Sequence, residues 1–408
     1  MRRDVKSNIV KLYVIKISKW LMLTVPIVFL FYRENGLGTR DLFLLKAAYS
    51  FAVVLMEIPS GYFGDIWGRK VSLVIGSVMG AVGFGLYSVS SGFWGFLACE
   101  MILGVGQSFI SGSDSALLYD TLEEQGLGNT YLKEEGRLVS IGNYAEAIAA
   151  PIGVGLAALS LRTPFYFQAA VAFSAVPASL LLFEPQRRRV IQKGNFTQIF
   201  QIIRYALTRN TGLKWRIIYS SVIGTATLTM AWLIQPYFVH LSVPLALYGL
   251  FLPALNLTTG FVSMHAWKVE ARLGRDRTVL FIAFCIGSGY LCLSLFSTIW
   301  AVAFLYLFYM VRGVATPVLR NYINESTPSE IRATVLSIRS LIIRLSFVAV
   351  GPFLGWYADG YGMPAALLAG GMVFLAAGIW TGLQLRKEAP GNAVEPFLAD
   401  DGALPPAR

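Results

Sequence analysis

The chain has 408 residues, of which 55% are hydrophobic and 14% are charged, whereas soluble domains carry about 25% charged residues. Twelve membrane-spanning helices of about 20 residues each would use about 240 residues and leave only short loops, which excludes an extramembrane catalytic domain. The net charge of +11 comes from basic residues in loops, with no basic stretch interleaved with exposed aromatic residues, so nucleic acid is not an expected partner.

Six apolar segments predict the membrane helices of a first bundle, residues 1–184. They lie near 9–32, 41–61, 71–90, 93–114, 138–159 and 163–183. The basic N-terminus precedes the first segment, but no small-residue cleavage site follows a short apolar core. We therefore expect this segment to remain as the first membrane helix.

Residues 185–213 contain the longest interior polar stretch and are predicted to be a cytoplasmic linker. The linker contains Arg187-Arg188-Arg189 and then an amphipathic run, whose apolar members are Phe196, Ile199, Phe200, Ile203 and Leu207. We expect this run to form a helix that lies along the membrane surface.

Six further apolar segments predict a second bundle, residues 214–385. They lie near 216–240, 244–266, 277–297, 299–321, 333–357 and 362–384. The tail, residues 386–408, lacks apolar periodicity and is predicted to be disordered.

The lysines and arginines of the short loops indicate the orientation. Most of them fall on one side, while the other side has only Arg33, Arg40 and Arg162. Because basic loops face the cytoplasm, both termini are expected there, in agreement with an even number of spans. We expect a monomer in the lipid bilayer of an inner, or plasma, membrane.

Neither a cofactor nor a metal is expected. Cys99, Cys285 and Cys292 lie inside apolar runs, without metal-ligand or redox spacing, and are interpreted as buried small hydrophobic residues. A phosphate-binding loop of the Gly-x-x-x-x-Gly-Lys type is missing from the sequence, which excludes ATP-driven transport by this chain alone. We therefore do not expect an enzyme.

The most specific motif lies between the second and third predicted helices. It reads Gly61-Tyr62-Phe63-Gly64-Asp65-Ile66-Trp67-Gly68-Arg69-Lys70. Its glycines allow close approach of two helix ends and a positive φ in the turn. Asp65 can cap a helix or pair with a basic residue, while Arg69 and Lys70 hold the loop on the cytoplasmic side. The decapeptide closely resembles the loop signature of the major facilitator superfamily, and the hydropathy plan extends the resemblance over about residues 9–385.

The resemblance implies an all-α membrane fold of two pseudo-symmetric six-helix bundles around a central cavity, which carries a small solute by alternating access, usually with protons. In the family, the loop aspartate, here Asp65, contacts the cytoplasmic end of the eleventh helix. The family's Arg-x-x-x-Gly-x-Gly pattern is met by Glu100-x-x-x-Gly104-x-Gly106, so an acid replaces the basic residue. The exporter-type Gly-Pro pattern is met in part by the segment Ala150-Pro151-Ile152-Gly153-Val154-Gly155 and favours export.

Charged residues inside apolar spans cost about 2.5–3.5 kcal/mol each, so each calls for a partner or a function. Acids predominate in the first half and arginines in the second. We assign proton coupling to Glu100, Glu146 and Asp114. We assign substrate binding to Arg312, Arg344, Trp232 and Gln235, and a counter-charge role is the alternative for the two arginines. For each carboxylate the alternative is a structural hydrogen bond, or simple exposure to water at Asp114.

Lys46 and Glu100 are expected at similar depths. If their helices face each other, the pair is structural; if not, Glu100 is the better proton carrier. Glu146 lies about one turn before Pro151, where the helix is loosened and a change in exposure is possible.

A cytoplasmic gate is predicted from Glu57, Asp65 and Arg339, with the start of the eleventh helix near Pro328-Ser329-Glu330. The other members of the gating loop are Gly61, Gly64, Gly68, Arg69 and Lys70.

The leading hypothesis is a secondary active transporter, most simply a proton-coupled exporter of a small amphipathic or cationic organic compound that is attracted by the acids of the first half. The alternatives are an importer or symporter of an anionic solute bound by Arg312 and Arg344, and a non-transporting membrane receptor or lipid scramblase with the same fold.

Overall fold

The computed structural model describes residues 3–185, 196–328 and 331–387. These ranges are helical and contain no β-strand. The helices of the first half are α1 (Arg3–Trp20), α2 (Val28–Glu34), α3 (Thr39–Trp67), α4 (Arg69–Val89), α5 (Gly92–Ile110), α6 (Ser113–Glu123), α7 (Tyr131–Ala157) and α8 (Thr163–Leu180). The remaining helices are α9 (Phe196–Arg204), α10 (Thr211–His240), α11 (Leu245–Leu273), α12 (Arg275–Leu295), α13 (Val302–Glu325), α14 (Arg332–Tyr361) and α15 (Met363–Lys387). Each of the twelve predicted spans coincides with helical structure, so the all-α fold is confirmed.

The first span is not one continuous helix. It ends as α1 at Trp20 and resumes as a short 3-10 turn, Val25–Ile27, which leads into α2. Pro26 lies in this turn, and a proline has no backbone N–H to donate to a regular helix. The interruption lies in the middle of the predicted span 9–32, where free backbone groups need partners from other helices.

Ten helical segments in the described ranges are long and apolar enough to cross a membrane. The two remaining predicted spans correspond to α7 and α8, which are helical but carry polar residues within their length. These residues include Asn143, Glu146 and Gln168.

The chain divides into two compact units. The first contains Met1–Val190, Gln235–Ala254 and Gly351–Asp359. Its core includes Leu12 of α1, Leu73 of α4 and Leu117 of α6. The predicted boundaries at 1–184, 185–213 and 214–385 stay a prediction.

The second unit contains Ile191–Ile234, Leu255–Val350 and Gly360–Arg408. The amphipathic helix α9 packs in its core, where Ile202 and the following turn lie against apolar side chains of α10, α13 and α14. These include Ile217, Ile323 and Val335. Of the apolar residues expected to face the membrane surface, Ile203 and Leu207 pack partly buried against this core and Phe200 is exposed, while the side chains of Phe196 and Ile199 lie outside the described part of the chain. The position of this helix at the membrane surface stays a prediction.

The glycine-rich motif differs in one respect from the predicted loop. Helix α3 continues to Trp67, so Gly61 and Gly64 lie inside a helix and the turn to α4 consists of Gly68 alone. Gly68 has φ +107°, which favours glycine. Gly61 has no atom near the position of a Cβ, so it does not mediate the expected close approach.

Several predicted features lie outside the described residues. They are Arg187-Arg188-Arg189, Ser329, Glu330 and the tail from residue 388. The side chain of Asp65 also lies outside the described part of the chain.

Candidate functional site: the buried charges of the membrane helices

Glu100 lies at the centre of a buried polar cluster in the first unit. Its Oε1 atom accepts a hydrogen bond from Tyr87 at 2.8 Å and one from Tyr32 at 3.1 Å. The same oxygen forms an ion pair with Nζ of Lys46. The two tyrosine hydroxyls are 2.5 Å apart. Three donors from α2, α3 and α4 thus converge on one carboxylate of α5, and the ammonium group of Lys46 balances its negative charge.

Aromatic rings seal this cluster from solvent. Phe96 packs 5.4 Å from the ring of Tyr87 and 5.2 Å from the ring of Tyr32, between ring centroids. Phe165 of α8 lies 5.3 Å from Tyr87. Glu100 is 3% exposed as a result. The helices of Lys46 and Glu100 therefore face each other, which is the arrangement that the sequence analysis associates with a structural pair.

A second ion pair joins α1 to the start of α6. Nζ of Lys16 lies 3.2 Å from Oδ2 of Asp114, and both side chains are largely buried. Asp114 follows Gly112, whose φ of +80° sets the bend between α5 and α6. The other carboxylate oxygen of Asp114 accepts a hydrogen bond from the backbone N–H of Ser115 at 3.0 Å. This carboxylate is therefore charge-paired, like Glu100.

The carboxylates of Glu146 and Glu57 are half-buried, unlike Glu100. Glu146 lies on α7, one turn before the buried pair Ala149 and Ala150. Glu57 lies on α3, and its backbone carbonyl accepts a hydrogen bond from Ser60. Both residues have interactions with their surroundings. Both side chains are thus partly exposed at the surface of the chain, unlike the sealed carboxylate of Glu100.

Two glutamine side chains satisfy the backbone at the interruption of the first span. Gln168 of α8 accepts a hydrogen bond from the N–H of Leu23 at 2.7 Å. Gln235 of α10 accepts one from the N–H of Phe29 at 3.0 Å and donates one to the carbonyl of Val25 at 2.5 Å. Gln235, a predicted substrate ligand, is 5% exposed and uses both ends of its amide on this backbone.

Gly153 of α7 allows the interruption to lie close to that helix. A Cβ at this position would lie 2.1 Å from the carbonyl oxygen of Leu23. Such a distance is impossible without a backbone shift, so the glycine of the exporter-like pattern has a packing role here.

The start of α3 is capped by an acid from a distant part of the chain. Asp359 of α14 accepts hydrogen bonds from the backbone N–H groups of Thr39 at 3.0 Å and Arg40 at 2.7 Å. The helix N-terminus carries a partial positive charge that favours a carboxylate. Gly38 leaves the space, since a Cβ there would lie 2.6 Å from Oδ2 of Asp359.

An equivalent cap lies at the start of α4. The two carboxylate oxygens of Glu184 accept hydrogen bonds from the N–H groups of Arg69 at 2.9 Å and Lys70 at 2.6 Å. A Cβ at Gly68 would lie 3.0 Å from this carboxylate. The sequence analysis considered Asp65 as a cap and missed Glu184. The available signal was an acid directly after the sixth predicted span, on the same side as the glycine turn.

The second unit contains the predicted arginines. Nε of Arg339 donates a hydrogen bond to Ser220 of α10 at 2.5 Å. Arg344 is half-buried in the interior of α14, and Arg312 is exposed in the interior of α13. Trp232 is half-buried on α10.

The described ranges contain no group of three or more histidine, cysteine, aspartate or glutamate side chains that could hold a metal ion.

Outside the membrane spans, burial raises the pKa of Tyr131, and the nearby carboxylates of Glu135 and Asp114 act in the same direction.

Comparison with known proteins gives a consistent result. The model of the Major Facilitator Superfamily matches residues 20–345. The quinolone resistance protein NorA of Staphylococcus aureus (strain MSSA476) is 24% identical over 208 residues, which are 51% of this chain and 50% of NorA. The chain thus spans about half the length of the NorA relatives that it matches.

Solved structures agree over a longer part of the chain. A bacterial homologue of the human lysosomal transporter Spinster has a TM-score of 0.78 at 12% identity and covers 96% of this chain and 100% of its own. A D-xylose-proton symporter has a TM-score of 0.68 at 16% identity and covers 96% and 99% of the two chains. At these identities the likeness concerns the fold.

Proposed function

The chain belongs to the major facilitator superfamily, and we propose that it moves a small amphipathic organic solute across the membrane by proton-coupled alternating access. Family membership makes it an integral membrane transporter and not an enzyme. The proposal adds the solute, the coupling proton, a monomeric state and an inner membrane with both termini in the cytoplasm.

The observation that carries the coupling proposal is the contrast among the intramembrane carboxylates. Glu100 and Asp114 are charge-paired with lysines and largely buried. A proton carrier has to reach water on alternating sides, and a sealed ion pair is poorly suited to that task. Glu146 is half-buried on a helix that contains Pro151. We therefore assign the proton to Glu146 and a structural role to the Lys46–Glu100 pair.

Alternating access requires contacts that break as the two sides open in turn. On the outer side, we assign this role to the Asp359 cap on α3 and to Gln235 at the interrupted first span, since each joins segments far apart in sequence. On the cytoplasmic side, we retain the gate of Glu57, Asp65 and Arg339, to which Gly61, Gly64, Gly68, Arg69 and Lys70 contribute the loop.

The cytoplasmic gate is tested with a spin-label distance across the cytoplasmic mouth in Asp65→Asn and Arg339→Gln. A wider mouth in both folded variants supports the gate. An unchanged distance in both would contradict it.

The direction of transport has two candidates. The similarity to the quinolone resistance protein NorA supports export. A symporter of an anionic solute is favoured by a different observation, because Glu100 and Asp114, which were expected to attract a cation, are already paired with lysines.

Flux measurements in liposomes test the proposed function and its direction. The probes are naphthoate, its neutral amide and a naphthyl quaternary ammonium, together called the naphthyl panel. We expect an imposed pH gradient to drive at least one member, and a protonophore to abolish this flux. Flux with the protons indicates symport, and flux against them indicates export by exchange. Absence of flux for every member, or flux that persists at full rate without the gradient, contradicts the proposal.

A further inference from the structure

The membrane helices of the second unit carry positive charge that this unit cannot balance. The segments 211–234, 255–269, 277–324, 331–350 and 363–385 contain no aspartate or glutamate. The interior of α13 and α14 nevertheless contains Arg312, Arg320, Arg339 and Arg344. Among the described residues, the acids of this unit lie at helix ends, where Glu325 pairs with Arg275 at 3.7 Å and Glu270 accepts a hydrogen bond from Tyr322 at 3.1 Å.

Two of these arginines lie deep in the membrane. Arg312 is about 15 Å from the start of α13 and about 20 Å from its end, at 1.5 Å per residue. Arg344 is about 18 Å from the start of α14 and about 26 Å from its end by the same rise. These distances exceed the length of an arginine side chain, so neither guanidinium can extend to the headgroup region at an end of its helix. An arginine that faced lipid at this depth would cost about 2.5–3.5 kcal/mol or more, which favours a position facing a water-filled cavity or a ligand.

The backbone that carries both arginines is held in place by small residues. Next to Arg312, the carbonyl of Gly313 accepts a hydrogen bond from Ser263 of α11 at 2.9 Å, and a Cβ at Gly313 would lie 2.9 Å from the carbonyl oxygen of Thr259. Next to Arg344, the side chain of Ile343 packs against Gly224 of α10. Both guanidinium groups are thus presented from fixed helix positions, as a binding site requires.

The first unit leaves few negative charges for these arginines. Lys46 and Lys16 already neutralise Glu100 and Asp114. Glu57 and Glu146 are the other acids well inside its predicted spans. The positive charge of the second unit therefore exceeds what the remaining intramembrane carboxylates can offset.

From this imbalance we infer that the transported solute is an amphipathic organic anion, and that Arg312 and Arg344 bind its carboxylate, phosphate or sulfonate group. The inference rests on the proposed transport function and specifies its substrate class. Guanidinium groups bind such oxyanions through charge-assisted, often bidentate hydrogen bonds. Protonation of Glu146 removes a negative charge from the chain and so favours the binding of an anion, which means that the proton and the anion travel in the same direction, as in a symporter.

The test is the binding of the naphthyl panel, extended with aromatic phosphates and sulfonates, to the purified full chain, measured by thermal shift. We expect anions to raise the melting temperature and their neutral and quaternary ammonium counterparts not to do so. In Arg312→Gln and in Arg344→Gln, the Kd for the anion rises about tenfold or more, because one charged hydrogen-bonding group is lost. Arg312→Lys recovers part of this affinity, and the surface variant Arg277→Gln binds like the wild type.

Stabilisation by cations or neutral compounds, the lack of any stabilising anion, or wild-type anion affinity in both glutamine variants would overturn the inference. The proposed function and the inferred substrate class are refuted by different results. A chain that binds anions but shows no proton-driven flux refutes proton-coupled transport, whereas proton-driven flux of a cation refutes only the substrate class.

Discussion

Replacing Glu100 with Gln removes one negative charge from a cluster that solvent hardly reaches. The glutamine keeps a carbonyl oxygen that accepts hydrogen bonds from Tyr32 and Tyr87, so the loss is mainly electrostatic. Nζ of Lys46 then loses its ion pair with Glu100, in a side chain that is 12% exposed. Removing one partner of a buried ion pair costs about 3–5 kcal/mol, and we expect Glu100→Gln to lower the free energy of unfolding by this amount.

The double variant Lys46→Met/Glu100→Gln is the matched control. It removes both charges and keeps side chains of similar volume, a replacement that is often neutral or stabilising. The assay is denaturant unfolding in lipid and detergent micelles, with proton-driven flux measured on the folded protein. We expect the double variant to recover most of the lost stability and Glu100→Gln to keep the proton dependence of transport. Wild-type stability in Glu100→Gln, together with loss of its proton dependence, would refute the structural role.

Three further predictions concern contacts of the helix ends and of the interrupted span. Asp359→Asn weakens the cap on α3 by about 0.3–1 kcal/mol. A spin-label distance between the N-terminal end of α3 and the C-terminal end of α14 should then increase, and an unchanged distance argues against the proposed role of this contact. Gly153→Ala destabilises the fold by about 1–3 kcal/mol, because its Cβ overlaps the backbone of Leu23, while Gly155→Ala, which meets no atom within 4 Å, does not; equal unfolding midpoints would contradict this packing. Glu184→Gln loses about 1 kcal/mol of unfolding free energy at the start of α4, and a wild-type midpoint would show that the cap contributes nothing.

The helices could be predicted from the sequence because lipid imposes a simple rule on long apolar segments. The interruption near Pro26 was missed because hydropathy shows only that a segment is apolar and does not show whether its helix is continuous. Its free backbone groups are satisfied by Gln168 and Gln235 from other helices, so hydropathy along the first span contains no sign of it. Gln235, inside a membrane span, was interpreted as a substrate ligand from its position. In the structure both ends of its amide bind the backbone of the interrupted span, and a role in substrate binding stays a prediction.

The candidate site was predictable as a set of residues but not as a set of contacts. Intramembrane charges are costly, so Lys46, Glu100 and Asp114 could be identified from position alone. Their partners depend on the rotation of each helix about its axis, which the sequence does not give. In the structure Asp114 pairs with Lys16, and two tyrosine hydroxyls donate hydrogen bonds to Glu100. The caps by Glu184 and Asp359 join residues more than one hundred positions apart and leave no periodic signal.

The assignment of the proton to Glu146 is tested most directly by comparing exchange with gradient-driven transport in Glu146→Gln. The naphthyl panel member that the wild type transports serves as the probe, and the surface variant Glu124→Gln serves as the control. A transporter without its proton carrier still exchanges solute across the membrane but cannot use the gradient. We therefore expect Glu146→Gln to retain solute counterflow, with a flattened pH profile, and to lose gradient-driven accumulation. Gradient-driven accumulation with the wild-type pH profile in Glu146→Gln would contradict the account.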